Sequence, residues 1–149
     1  MAQSLSPRPL ARSAGVRLHE TAVEAEVPFH DVDAQRIVWH GHYAKYFELA
    51  RTALLRSRDL DVGSLIGPRY RFMVIDARCR YGSALRYADR MRISAWFQDL
   101  RRRIVIGYEI QNLSSGRRAA RGQTTLAVVD AEDRLLLEVP AEILERIEA

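Results

Sequence analysis

The sequence predicts an α+β domain in which an antiparallel sheet covers one long helix. Three observations support this. Apolar and polar residues alternate from Thr21 onward, a helical stretch without glycine or proline runs from about His42 to Arg58, and further alternating segments follow in series. Short connections between those segments favour antiparallel neighbours.

The elements follow in chain order. Residues 1–20 mix Ser, Pro, Arg and Ala without sustained periodicity, so they read as a flexible tail, and residues 21–149 form the domain. Strand one puts Val23, Ala25, Val27 and Phe29 on one face and Glu24 and Glu26 on the other. A polar loop through Asp31 and Asp33 leads to the helix, where Tyr43, Phe47, Ala50 and Leu54 fall at spacings of four, three and four. Tyr46, Leu49 and Ala53 widen that stripe, which implies burial on more than one side. Glu48 and Arg51 are placed for an i,i+3 ion pair. A loop with Gly63, Gly67 and Pro68 ends the segment.

Strands are then expected at about 70–81, 90–99, 102–112 and 118–130, for a sheet of five to six strands. The sixth would come from Leu135, Leu137 and Val139, after a turn at Asp130 to Asp133. Pro140 suits the first position of a short C-terminal helix carrying Ile143, Leu144 and Ile147.

With 149 residues, 48% of them hydrophobic, the chain can build one ordinary core. It contains no run of about 18 apolar residues and no compact apolar leader with a small-residue cleavage site, so a soluble, cytoplasmic protein is expected. Cys79 is the only cysteine, which excludes an intrachain disulfide and metal sites built on cysteine pairs. Lys45 is the only lysine among the 23 basic residues. The net charge of +4 is interspersed with acidic residues, which argues against nucleic acid as a partner.

The segment Phe29-His30-Asp31-Val32-Asp33-Ala34-Gln35-Arg36-Ile37-Val38-Trp39-His40-Gly41-His42-Tyr43 carries the chemistry. Two carboxylates and three imidazoles crowd a loop that enters a helix N-terminus, where unpaired N–H groups and the dipole favour developing negative charge. Thioester hydrolysis needs such a stabiliser and a group that attacks or activates water. The same residue types also serve as caps and turn formers. A metal site from His30, Asp31, Asp33, His40 and His42 is chemically conceivable, but His40 and His42 at i,i+2 do not share a helical face. No metal is expected.

With Asp31, Asp33, Ile37, Val38, Trp39, His40, Tyr43, Tyr46, Phe47, Glu48 and Arg51 in these places, the chain resembles the 4-hydroxybenzoyl-CoA thioesterase and Tol-Pal-associated (YbgC-like) branch of the hotdog superfamily. The likeness continues through Tyr81, Asp89 and Val139-Pro140, covering about residues 21–147. It implies a hotdog fold, a long central helix wrapped by the sheet, and an acyl-CoA thioesterase. Asp33 is then the catalytic carboxylate, as nucleophile or as general base. The oxyanion donor falls on the backbone N–H of His40 or Gly41, the His40 side chain belongs to the site, and Asp31 orders the loop.

The resemblance also places Arg101, Arg102 and Arg103 near the coenzyme A nucleotide. If they begin a strand, alternation sends neighbours to opposite faces. Tyr43 would help to set the depth of the acyl pocket. One position departs from the pattern: the family glycine is Arg36, a long cation that could sit beside Asp33 or meet substrate phosphate. A homodimer or homotetramer is implied, with coenzyme A thioester as substrate and no cofactor. The alternatives are a thioesterase releasing a fatty or polyketide chain from an acyl carrier protein, and a non-catalytic acyl-CoA binding protein.

Overall fold

The computed structural model describes residues 17–63 and 69–149, so most of the expected tail, with Gly67 and Pro68, lies outside the described residues. Strand β1 (Leu18–Glu26) leads through the loop to helix α1 (Tyr43–Ser57), which is preceded by a single 3-10 turn at His40–His42. Strands β2 (Tyr70–Tyr81), β3 (Arg90–Asp99), β4 (Ile104–Asn112) and β5 (Arg117–Asp130) follow, and helix α2 (Ala141–Glu148) closes the chain. The sheet order is β1-β3-β4-β5-β2, antiparallel throughout.

Three details differ from the sequence reading, and the sheet takes the lower of the two expected strand counts. β1 begins at Leu18, with a register irregularity before Thr21. β4 begins at Ile104 rather than residue 102, because the Asp99 carboxylate accepts both the Arg101 backbone N–H and its guanidinium, which closes a turn over the three arginines. Pro140 caps α2 from an extended conformation (ψ 143°) instead of occupying its first turn. The Leu135–Val139 segment adds only an isolated bridge between Val129 and Leu135, so the sheet has five strands.

Helix α1 lies across β1 and β3 and touches β4. The inward residues Met91, Ile93, Ala95 and Phe97 of β3 and Ile104, Ile106, Tyr108 and Ile110 of β4 are buried against Tyr46, Phe47, Ala50 and Leu54 of the helix. Leu49 remains 48% exposed, so within one chain the helix is buried along one broad face rather than on several sides. The expected Glu48–Arg51 pair does not form; Arg51 instead reaches the Tyr108 hydroxyl at 3.4 Å.

Phe47 shows how closely helix and sheet approach. Its ring stacks on Tyr108 with centroids 4.7 Å apart, over the space left by Gly122, where a Cβ would meet the ring at 2.3 Å. Gly122→Ala is therefore expected to destabilise the fold by about 1–3 kcal/mol, the usual cost of overpacking. Chemical denaturation checks it.

Candidate active site

The loop after β1 is tied to the helix by a buried charge. Asp31, 1% exposed, accepts hydrogen bonds from Lys45 Nζ at 2.7 Å and the Tyr46 hydroxyl at 2.6 Å. The His30 and His42 rings stand 3.6 and 3.8 Å from its Oδ1. Burial alone would raise the carboxyl's pKa, but the hydrogen bonds from Lys45 and Tyr46, with the charges of Lys45 and His42, outweigh it and hold it below the ordinary value.

Asp33 stands on the next turn, a small loop closed by pairing of Val32 with Val38. Its backbone N–H donates to Ile37 at 3.0 Å, and its Oδ1 accepts the Gln35 N–H at 2.8 Å. Arg36 adopts φ +64°, the left-handed region natural to glycine. Its N–H donates to the Asp33 carbonyl, while its exposed side chain makes no ion pair with the Asp33 carboxylate. Because a side chain in this region costs about 1 kcal/mol, Arg36→Gly should raise stability by roughly that amount in denaturant titration.

Trp39 is extended, and the chain turns into the helix at His40. The His42 N–H donates back to Trp39, but among the described residues neither the His40 nor the Gly41 N–H has an acceptor. These are the orphan donors of a helix start. The Trp39 ring lies close over Gly41, where a Cβ would stand 2.2 Å from it and displace the half-exposed ring. The Tyr81 hydroxyl donates to the His40 carbonyl at 2.9 Å, fixing the His40–Gly41 peptide to the end of β2.

Both residues line a pocket of about 490 Å³ between α1 and β2. Phe47, Glu48 and Arg51 continue its helix side, Val74, Cys79 and Tyr81 its strand side, and Thr124 lies inside it. The Thr124 hydroxyl is 2.6 Å from that of Tyr108. Burial pushes the Cys79 thiol up, which keeps it protonated and a poor nucleophile.

The structure thus brings His40 and Gly41 together at the pocket. Asp33 and Arg36 are nearby in sequence but do not line it, and Tyr43 is buried, its ring edge-on to Tyr81 at 4.9 Å. Burial pushes the Tyr43 hydroxyl up to about 12, so it stays neutral. Arg101, Arg102 and Arg103 line a separate cavity of about 520 Å³ with Val105 and Thr125. It lies at the β3–β4 turn, whereas Tyr81 lies at the far end of the sheet, beside Ala120 near the start of β5. Tyr81, Cys79 and Thr124 were not expected as lining residues on chemical grounds. Their signal was only an inward position on alternating strands.

Residues 27–147 match the Thioesterase-like superfamily. The chain belongs to it. The candidate acyl-CoA thioesterase YneP of Bacillus subtilis is 26% identical over 121 residues, covering 77% of this chain and 83% of YneP. Among solved structures, the hypothetical protein AQ1494 of Aquifex aeolicus superposes with a TM-score of 0.75 at 26% identity, over 85% of this chain and 98% of that one. A DHNA-CoA thioesterase of Staphylococcus aureus shares the fold, with a TM-score of 0.71 at 23% identity over 79% and 80% of the two chains. The architecture is the hotdog fold, and family and relatives together support thioester hydrolysis. No helix among the described residues is long and apolar enough to cross a membrane.

Proposed function

We propose that this protein hydrolyses acyl thioesters of coenzyme A in the cytoplasm, without a cofactor. The thioester carbonyl sits at the His40–Gly41 helix start and the acyl group lies in the pocket beside α1. The observation that carries the reading is the pair of N–H donors at His40 and Gly41, without acceptors among the described residues, on the wall of a pocket of about 490 Å³.

Asp33 supplies the carboxylate. As nucleophile, its oxygen attacks the carbonyl carbon, the C–S bond breaks, and water hydrolyses the resulting anhydride. As general base, it takes a proton from water as the water oxygen attacks, and that proton passes to the departing thiolate. Arg36 is exposed beside this loop, where it can meet phosphate.

We place the complete site in a homodimer or homotetramer. Strand β2 is a sheet edge, and its consecutive Met73, Val74 and Ile75 are 52%, 46% and 52% exposed. Pairing of two such edges covers them. In such an assembly Arg101, Arg102 and Arg103, which line a separate cavity at the β3–β4 turn, take the phosphate-binding role. A second reading has one specific support: Glu48 lines the pocket and Asp33 does not, which makes Glu48 an alternative base.

The test is thiol release from a panel of acyl-CoA esters, alongside matched acyl groups on an acyl carrier protein. Saturable release from the CoA esters is expected. Binding without release would identify a non-catalytic binder, and release only from the carrier would move the activity to that substrate.

A further inference from the structure

Three loops meet at the end of the sheet where β1 finishes. The loop after β1 is laced to the β2–β3 loop: the Val27 N–H donates to the Asp89 carbonyl at 2.9 Å, and the Ala88 N–H to the Val27 carbonyl at 3.1 Å. The β4–β5 hairpin joins them through the Leu113 N–H, which donates to the Arg90 carbonyl at 2.7 Å. Each loop raises an apolar side chain into solvent: Phe29 is 75% exposed, Tyr87 59% and Leu113 42%. The Phe29 and Tyr87 rings meet edge to face with centroids 5.6 Å apart. Large apolar groups gathered in water at one place mark a contact surface.

The charge around this patch is positive. Arg86, Arg90 and Arg117 are exposed, and among the described residues none of their guanidinium groups meets a carboxylate. The nearby acids are mostly committed. Asp89 Oδ2 accepts the Arg86 backbone N–H and Asn112 Nδ2, both at 2.8 Å, and Glu24 holds Arg92. Asp31 is buried against Lys45, which leaves Glu26, opposite Arg90 across the β1–β3 pairing.

Aromatic and leucine side chains on loop tips, ringed by arginine, suit an anionic bilayer, where rings settle at headgroup level and cations meet the negative surface. A protein partner would need a matching pocket for each ring; a bilayer accepts them without one. We propose that this end of the sheet docks on an anionic lipid surface, with Phe29, Tyr87 and Leu113 entering the headgroup region and Arg86, Arg90 and Arg117 meeting the headgroups. Tyr81, in the wall of the pocket, pairs with Ala120 at this same end. Docking therefore brings the pocket to a bilayer, where acyl chains partition.

Sedimentation with vesicles of equal parts phosphatidylglycerol and phosphatidylcholine, against phosphatidylcholine alone, tests this with no substrate present. The wild type should bind the mixed vesicles, less as salt rises, and the neutral ones roughly ten-fold more weakly. Arg86→Gln with Arg117→Gln, and Phe29→Ser with Tyr87→Ser, should each weaken binding to the mixed vesicles roughly ten-fold or more, with melting temperatures near that of the wild type. Arg69→Gln with Arg134→Gln removes the same charge from the opposite end, where Tyr70 pairs with Asp130, and should leave binding unchanged. No binding to the mixed vesicles, unaltered binding in either patch variant, or an equal loss in both arginine pairs overturns the inference. A change of oligomeric state in the Phe29 and Tyr87 variant, read by light scattering, would assign the face to a second copy and overturn it too. Thiol release by the wild type judges the hydrolase reading separately, so the two can fail independently.

Discussion

Asp33→Asn is expected to lower thioester turnover by about two to four orders of magnitude while leaving the fold intact. Asparagine keeps the carbonyl oxygen that accepts the Gln35 N–H at 2.8 Å, so the small loop between Val32 and Val38 retains its turn. What it loses is chemical. An amide neither accepts a proton from water near neutral pH nor forms an acyl anhydride. Steady-state kinetics with a thermal melt separates these effects, because stability should stay near that of the wild type. Glu48→Gln is the companion variant: if it abolishes turnover and Asp33→Asn does not, the base is the glutamate on the helix.

Asp31→Ala should act in the opposite way, through stability first. The substitution strips the partner from Tyr46, whose hydroxyl is then buried with no acceptor, and releases Lys45. Breaking a buried pair from one side costs about 3–5 kcal/mol, and the exposure of Lys45 puts this site at the lower end. Urea titration measures it. The same carboxylate gives a pH signature. Its folded-state pKa lies below the unfolded value of about 4, so its contribution is complete above that pH and is lost as pH falls through the lowered folded value. The wild type should therefore lose stability on acidification below about pH 4, and Asp31→Asn should flatten that part of the profile.

The fold was legible where periodicity is enforced by burial. Met91 through Phe97 and Ile104 through Ile110 alternate because one face of each strand is buried beneath α1, and those strands lie where the spacing puts them. The start of β4 was misplaced because a side-chain event decides it: Asp99 captures Arg101, and no hydrophobic pattern records such a bond. Leu49 was misjudged for a related reason. Its spacing fits the buried stripe, but half of it faces outward in a single chain.

The site divides in the same way. That the helix start carries orphan N–H groups follows from helix geometry, whereas their assignment to His40 and Gly41 came from the family resemblance. Arg36 takes a left-handed conformation at the position where the resemblance expects a glycine, the residue for which that region carries no steric cost. The lining supplied by Cys79, Tyr81 and Thr124 depends on β2 and β5 pairing across a large sequence separation, which local pattern does not encode.

The most direct test of the account is a crystal structure with a ketone analogue of an acyl-CoA, in which a methylene replaces the thioester sulfur. The ketone oxygen should lie within hydrogen-bonding distance of the His40 or Gly41 backbone N–H, with the acyl group running into the pocket toward Thr124. An analogue bound with its carbonyl away from this helix start would contradict the assignment of the site.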